Sequence, residues 1–220
     1  MYKAKKYRVL TGLPRRVMIT SFLTDWAAQQ RGSDMSVQLQ KHYFNVNEYY
    51  RMLEVGLLSE DDRVELIEGE IIEMSPIGSA HGGTVKRLSR FLHRKLGDDV
   101  IVSVQDPVRL DDLSEPQPDL AVLKPRKDFY STSHPTPQDV LIIIEVSDSS
   151  LEYDRGVKLP LYARAGIPEA WLIVLTTRTI EIHSQPTSGK YQKVRRLKPG
   201  KALRSPTVPT ISCKVEDLVG

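Results

Sequence analysis

The spacing of apolar side chains predicts regular secondary structure from Val46 onward. A short helix is expected over 48–54, with Asn47 as its N-terminal cap and Gly56 just beyond its end. Two apolar-rich runs then flank Glu68–Gly69, a pattern typical of a β-hairpin. The regular part of the chain is therefore predicted to open with a helix and a hairpin.

Two longer amphipathic helices are predicted further along the chain. The first covers 81–96, where apolar residues recur at helical spacing until Gly97. The second covers 154–165 and ends at Gly166. Within it, Pro160 removes a backbone donor and is expected to kink the helix. Each helix has one apolar face, so both are expected to pack on a sheet.

Strand-like segments lie between and after these helices. They are 100–110, 119–123, 140–146, 170–175 and 179–184. The apolar run Leu141–Ile144 is typical of a strand covered on both faces, so its strand is expected inside the sheet, beside the strand that begins at Asp119. From residue 185 a polar loop and a basic stretch are expected. The pattern predicts a mixed α/β (α+β) fold, with a central mixed sheet flanked by helices.

The composition fits one globular domain. The chain has 220 residues, of which 40% are hydrophobic and 27% are charged. We expect a single domain over 35–220, because about 100–200 residues make a domain. No apolar run approaches the roughly 18 residues that a membrane-spanning helix needs. Cys213 is the single cysteine, which excludes an internal disulfide and fits a reducing, cytoplasmic location.

The basic charge of the chain is concentrated at its N-terminus. Residues 1–34 contain seven Lys or Arg and two acids, whereas the remainder contains 24 basic and 26 acidic residues. This segment lacks hydrophobic periodicity, and its apolar stretch is too short for a secretory signal. We interpret it as an extension that is disordered or precedes the true start at Met35, and that is dispensable for folding. A transit segment or a nucleic-acid-binding arm is the alternative.

Two carboxylates interrupt apolar segments. Asp119 follows Pro118 at the start of a strand. Glu145 lies between Ile144 and Val146 in the most apolar strand. A carboxylate in such a position is costly to bury unless it is paired or binds a cation. Mg²⁺ binds one or two carboxylates together with water and phosphate oxygens. Asp119 and Glu145 are therefore candidate ligands of one ion if their strands are neighbours.

Lys158 is the third candidate for the chemistry. It follows Asp154 by four residues, so both lie on one face of the predicted helix. Aimed at the two carboxylates, its ammonium group could position or deprotonate a water, or offset charge on phosphoryl oxygens. The alternative is an ordinary surface ion pair between Asp154 and Lys158, or Asp154 as a helix cap.

A series of motifs closely resembles the Uma-two family of restriction endonuclease-like proteins. The series is Glu65-Leu-Ile-Glu-Gly-Glu-Ile-Ile-Glu-Met-Ser-Pro, His81, Pro118-Asp119, Glu145-Val-Ser, and Asp154-(three residues)-Lys158-(three residues)-Tyr162. The resemblance covers about residues 43–184. That family is similar to the PD-(D/E)XK nuclease superfamily. The resemblance therefore implies a restriction endonuclease-like core and an endonuclease that hydrolyses DNA phosphodiesters with Mg²⁺, or Mn²⁺.

The resemblance also implies roles for individual residues. It makes Asp119 and Glu145 the metal ligands and Lys158 the catalytic lysine. The superfamily usually places this lysine two residues after the second acid, where this chain has Ser147. The resemblance thus implies a lysine relocated to the helix. Tyr162 lies in an apolar periodic context and is expected to be a core residue.

Glu65 and His81 are further candidates for the catalytic site. Glu65 lies in the predicted hairpin, where it would bind the metal through water. The alternative is a carboxylate on the rim that caps backbone amides. His81, at the beginning of a helix, would contact phosphate or assist proton transfer. The alternative is a capping or structural histidine.

Two groups of basic residues are candidate contacts for DNA phosphates. They are Lys86, Arg87, Arg90 and Arg94 on the first amphipathic helix, and Lys193, Arg195, Arg196 and Lys198 near the C-terminus. The alternative is a solvated charged face. DNA is thus the expected partner, no membrane partner is expected, and a homodimer is left open. A catalytically silent nucleic-acid-binding or interaction module is the alternative function.

Overall fold

The structure is a computed structural model that describes residues 40–59 and 61–219. The predicted extension 1–34 lies outside the described residues. The helices are α1 (Val46–Glu54), α2 (Ser79–Leu96), α3 (Leu151–Tyr153), α4 (Leu159–Arg164) and α5 (Glu216–Val219). The strands are β1 (Val64–Ile67), β2 (Glu70–Glu73), β3 (Ile101–Val104), β4 (Leu120–Leu123), β5 (Val140–Ser147), β6 (Glu169–Val174), β7 (Thr179–Thr187), β8 (Lys190–Leu197), β9 (Ala202–Arg204) and β10 (Ser212–Lys214). No helix among the described residues is long and apolar enough to cross a membrane.

The first helix begins two residues earlier than its sequence predicts. Its cap is Asn45 and not Asn47. The Asn45 side chain accepts a hydrogen bond from the Glu48 amide at 3.0 Å, and the Glu48 carboxylate accepts one from the Asn45 amide at 2.9 Å. This reciprocal pair satisfies two free amides at the helix start and so fixes the start of α1.

A six-stranded mixed sheet forms the centre of the fold. Its strand order is β3-β4-β5-β6-β7-β8, with β5 and β6 parallel and every other neighbouring pair antiparallel. The parallel pair requires a crossover, which the helical segment 151–164 supplies. β5, which contains Glu145, is an interior strand, and it pairs with β4, which begins directly after Asp119. The predicted position of this strand is confirmed.

Helices cover both faces of the sheet. Because side chains alternate along a strand, successive residues of β5 contact different helices. On β5, Ile142 and Ile144 pack with the apolar face of α2. Ile143 packs on the opposite face with α4. Glu145 lies two residues after Ile143 and therefore projects toward α4. The predicted mixed α/β fold, a central mixed sheet flanked by helices, is confirmed.

The helical segment after β5 differs from its prediction. It begins at Leu151 and not at Asp154, and a π-helical turn (Asp154–Lys158) separates α3 from α4. The π turn ends two residues before Pro160, where the sequence predicts a kink, and Pro160 has no N–H to continue the α-helical pattern. Such wide turns are frequent at functional sites. This one carries both Asp154 and Lys158 as buried residues.

The C-terminal half contains a strand that the hydrophobic pattern does not predict. The polar loop expected from residue 185 is wrong, because β7 and β8 continue as a hairpin around Ser188–Gly189, both with positive φ. Most side chains of β8 are exposed, so its sequence lacks the apolar alternation that marks a strand. By contrast, β3 is shorter than predicted, since Gln105 adopts a φ of 57° directly after it.

Candidate active site

One cleft brings together all the residues that the sequence nominates for the chemistry. It has a volume of about 760 Å³. The β1–β2 hairpin, the first turn of α2, the neighbouring ends of β4 and β5, and the segment from α3 to the π turn contribute its walls. The ionisable side chains that matter below are Glu65, His81, Asp119, Glu145, Asp154 and Lys158. Residues from distant parts of the sequence therefore meet in one place.

Backbone hydrogen bonds hold Asp119 and Glu145 side by side. The Asp119 carboxylate accepts a hydrogen bond from the Val146 amide at 2.8 Å. The Asp119 amide donates to Glu145 Oε2 at 3.4 Å. Antiparallel pairing of β4 with β5 brings the two positions together. Both residues are buried in the wall of the cleft, Asp119 with 9% and Glu145 with 3% of its surface exposed.

Glu145 lies among hydrogen-bond donors and like charges. Its Oε1 accepts a hydrogen bond from the Tyr162 hydroxyl at 2.5 Å and lies 3.4 Å from Lys158 Nζ. Burial raises the pKa of Glu145 to about 8; attraction to Lys158 opposes this shift, and repulsion from Asp119 and Asp154 adds to it. The positive charge of Lys158 therefore only partly offsets the cost of burying the ionised form of Glu145.

Lys158 is a buried cation, so the alternative of a surface ion pair with Asp154 is wrong. Its Nζ lies 3.0 Å from Glu65 Oε2 and 3.4 Å from Glu145 Oε1, and its side chain is 7% exposed. Burial alone would lower the pKa of Lys158, but attraction to Glu145 and then to Glu65 raises it above its ordinary value. Lys158 therefore remains charged and faces two carboxylates at once.

Asp154 connects the π turn to the end of β5. Its Oδ2 accepts hydrogen bonds from the hydroxyls of Ser147 and Ser150, each at 2.6 Å. The helix begins upstream of Asp154, so the capping role is also wrong. Ser147 occupies the position where the PD-(D/E)XK pattern has its lysine. Here that position anchors the turn that carries Lys158.

Glu65 enters the cleft from β1 and is almost fully buried. Its Oε2 accepts a hydrogen bond from the Gln117 amide at 3.1 Å and pairs with Lys158 at 3.0 Å. Glu65 therefore accepts a hydrogen bond from a backbone amide, as its alternative role predicts. It is, however, buried in the wall of the cleft and does not lie on the rim of the cleft. Its ion pair with Lys158 joins β1 to the π turn.

His81 lies in the first turn of α2 and contacts Asp119. The N-cap of α2 is Gly78, so His81 does not cap the helix. Its Nε2 lies 2.9 Å from Asp119 Oδ2, and this hydrogen bond raises the pKa of His81 above its ordinary value. Its Nδ1 is buried without a hydrogen-bond partner among the described residues. The imidazole thus links α2 to the carboxylate pair.

The sequence does not nominate two side chains that donate hydrogen bonds to the carboxylate pair Asp119 and Glu145. Tyr162 is fully buried, which confirms its interpretation as a core residue, yet its hydroxyl donates to Glu145. The available signal was its four-residue spacing from Lys158, because such residues share a helix face. Gln105, which donates to Asp119 at 3.3 Å, lies in an irregular segment whose sequence offers no comparable signal.

The charge balance of the cleft fits a divalent cation. Four buried carboxylates, those of Glu65, Asp119, Glu145 and Asp154, lie around Lys158, the one buried lysine in the described part of the chain. Oxygen donors of this kind suit Mg²⁺ or Mn²⁺. Within residues 40–59 and 61–219, no group of three or more His, Cys, Asp or Glu side chains is arranged to hold a metal. Mg²⁺ commonly uses only one or two carboxylates plus water, and the neighbouring pair Asp119 and Glu145 fits that smaller set.

Known proteins resemble the chain in sequence and in fold. Residues 46–216 match the Uma-two family (Uma2), which is described as "Putative restriction endonuclease". The solved structure of a protein from Anabaena variabilis, described as "a putative nuclease belonging to DUF820", matches with a TM-score of 0.62 at 15% identity, over 80% of this chain and 97% of that one. This likeness shows a shared fold. Among curated proteins none matches. Because the family match spans most of its length, the chain belongs to the Uma2 family.

Proposed function

We propose that the protein is a metal-dependent endonuclease that hydrolyses phosphodiester bonds of DNA. The observation that carries the proposal is the meeting of Asp119, Glu145 and Lys158 in one cleft, with Lys158 Nζ 3.4 Å from Glu145. Two carboxylates from adjacent strands and one lysine are the groups that the PD-(D/E)XK resemblance implies. Membership in a family described as "Putative restriction endonuclease" supports the same activity.

Asp119 and Glu145 are the proposed ligands of Mg²⁺ or Mn²⁺. The bound ion would supply Lewis-acid stabilisation of the phosphoryl charge and would orient the substrate. His81 hydrogen-bonds Asp119 and holds that carboxylate in place. Tyr162 does the same for Glu145. Each proposed ligand therefore has its own supporting side chain.

Lys158 contributes a fixed positive charge beside these ligands. Its ammonium group is held between Glu65 and Glu145, so it acts as a hydrogen-bond donor and not as a base. Such a charge stabilises the negative charge that develops on phosphoryl oxygens during hydrolysis. Glu65 acts through Lys158 and is a positioning residue in this proposal.

A catalytically silent nucleic-acid-binding module is the second candidate. The observation that favours it is the pair of buried contacts made by Lys158. A fold that has lost its activity can retain such ion pairs as part of its structure, because removal of one partner leaves an uncompensated buried charge. The two candidates differ in whether DNA is cut.

Incubation with single-stranded and double-stranded DNA, with and without Mg²⁺ or Mn²⁺, separates the two candidates. The nuclease proposal predicts cleavage products only with metal, and none from Glu145→Ala. Ser149→Ala, an exposed change in the same cleft, is the control and is expected to cut like the unmodified protein. DNA that is bound but never cut, with either metal, contradicts the proposal and favours the binding module.

A further inference from the structure

The outer face of α2 carries only positive charge. The 18 residues of this helix include no Asp or Glu. Four of its cations, Lys86, Arg87, Arg90 and Arg94, are all exposed. None of them forms an ion pair within the described part of the chain. Solvent-exposed surfaces normally carry charges of both signs. A helix face with positive charge alone is therefore unusual if its role is only contact with solvent.

The spacing of these four cations destabilises α2 in the absence of a binding partner. Arg90 lies four residues from both Lys86 and Arg94, and three residues from Arg87. Like charges at these spacings repel along one face. The helix dipole favours cations in the last turn, which accounts for Arg94 but not for Lys86 or Arg87 in the middle. A polyanionic partner would replace this repulsion by attraction.

A groove runs beside the C-terminal half of the same face. It has a volume of about 360 Å³ and lies between α2 and α5. Its lining consists of Arg87, Arg90, Phe91, Arg94, Lys95 and Asp217. Guanidinium groups bind phosphate oxygens through paired hydrogen bonds. Three arginines along one groove therefore suit a chain of phosphates better than a single small anion.

The same helix connects this groove to the cleft. His81, in the first turn of α2, lines the cleft. Lys86 Nζ lies 4.0 Å from the place that a Cβ on Gly82 would occupy, so this lysine reaches back toward the first turn. From His81 to Arg94 the helix rises about 20 Å, at roughly 1.5 Å per residue. At about 3.4 Å per base pair, this length corresponds to about six base pairs of DNA.

We propose that the outer face of α2 and its groove bind the sugar–phosphate backbone of DNA on one side of the cleavage site, without reading base sequence. The proposal rests on the proposed nuclease function, whose substrate it extends. Cations that contact phosphates fix position and affinity but carry no sequence information. The cleft would act on one phosphodiester while α2 holds the flanking duplex.

The test compares two fourfold variants that remove the same charge. One is K86Q/R87Q/R90Q/R94Q on α2. The other is K124Q/K127Q/K190Q/K201Q, at exposed lysines outside both predicted basic groups. Binding of a fluorescent 20-base-pair duplex is measured over a salt series. Cleavage of duplexes with different flank lengths, hydrolysis of bis(p-nitrophenyl) phosphate and the melting temperature complete the comparison.

The α2 variant is expected to bind the duplex at least tenfold more weakly, with the slope of log K against log salt reduced by about 2 to 4. Its hydrolysis of the small phosphodiester and its melting temperature are expected to stay unchanged. In the unmodified protein, cleavage efficiency is expected to rise with flank length up to about six base pairs and then level off. The matched variant is expected to behave like the unmodified protein.

Several outcomes overturn the proposal. They are equal losses of duplex binding in both variants, no loss in the α2 variant, or a parallel loss of small-phosphodiester hydrolysis. Binding of phosphatidylserine vesicles that exceeds duplex binding and depends on α2 also overturns it, because the face would then serve a membrane. If the unmodified protein binds DNA through α2 but hydrolyses neither substrate, the proposed function fails, and with it the position beside a cleavage site, whereas binding of the DNA backbone by α2 stands.

Discussion

Lys158 is the residue on which the stability and the proposed chemistry of the cleft both depend. It is the cation that faces both Glu65 and Glu145, and all three side chains are almost completely buried. Breaking a buried ion pair by removing one partner typically costs about 3–5 kcal/mol, because a charge is left without compensation. A change at this position therefore acts on the fold as well as on the reaction.

Lys158→Met tests this double role. The substitution is expected to lower the free energy of unfolding by about 3 kcal/mol and to reduce DNA cleavage by about 100-fold. Urea unfolding gives the first quantity, and a cleavage assay at a temperature where the variant is folded gives the second. Lys127→Met, at an exposed lysine, is the control and should change stability by less than about 0.5 kcal/mol. Undiminished cleavage by Lys158→Met would remove this lysine from the mechanism.

The sequence contains enough information to find some of these residues but not their contacts. Asp119 and Glu145 are predictable because each carboxylate interrupts an apolar segment that is costly to break with a charge. The ion pair of Glu65 with Lys158 is not predictable in this way, since the partners come from β1 and the π turn, far apart in the chain. Only the folded sheet brings them within 3.0 Å.

Among the secondary-structure elements, the π turn that carries Lys158 is held to the sheet by Glu181 of β7. Glu181 Oε1 accepts hydrogen bonds from Arg155 of the π turn at 3.1 Å and from Arg196 of β8 at 2.9 Å. Its Oε2 lies 3.2 Å from His183 Nε2. This cluster ties the π turn to β7 and β8, and so supports the position of Lys158.

The pKa of Glu181 gives this contact a pH signature. Burial by itself would raise that pKa, but Arg155, with His183 and Arg196, lowers it below its ordinary value of 4.5. A carboxylate whose pKa is lowered by folding stabilises the fold above its ordinary pKa. This contribution is lost as the pH falls through the folded-state pKa.

Glu181→Gln is therefore expected to cost about 2 kcal/mol at pH 7 and progressively less below pH 4.5. Urea unfolding of both proteins at pH 7, 5.5 and 3.5 measures the difference. Glu152→Gln is the matched control, because Glu152 pairs with the same arginine at 3.6 Å but its side chain is 94% exposed, so a change under about 0.5 kcal/mol is expected. An equal penalty for Glu181→Gln at all three pH values would contradict the account.

Elements with a local signal were predictable, and elements defined by their surroundings were not. The turn between β1 and β2 at Gly69 and the end of α2 at Gly97 follow from glycines, which adopt positive φ without steric cost. β8 is formed by pairing with β7 while its side chains stay exposed, so its own sequence resembles a basic loop. The π turn likewise depends on the packing of Asp154 and Lys158 inside the cleft.

At the scale of the whole molecule, the sheet brings residues from separate parts of the sequence together in one site. β4 and β5 supply the two carboxylates, the crossover between β5 and β6 supplies the lysine, and the hairpin β1–β2 and helix α2 close the cleft around them. The fold could be predicted because the apolar run of β5 places it in the interior of the sheet. The order in which the outer strands join could not, because it depends on pairing between distant segments.

The dependence of the DNA cleavage rate on Mg²⁺ and Mn²⁺ concentration tests the central claim most directly. The unmodified protein, Asp119→Asn and Asp148→Asn are compared; Asp148 is an exposed acid that lines the same cleft. We predict no cleavage in EDTA, a saturable rise with metal for the unmodified protein and for Asp148→Asn, and no saturation for Asp119→Asn over the same range. Cleavage in EDTA, or an Asp119→Asn curve that follows the unmodified protein, would contradict the account.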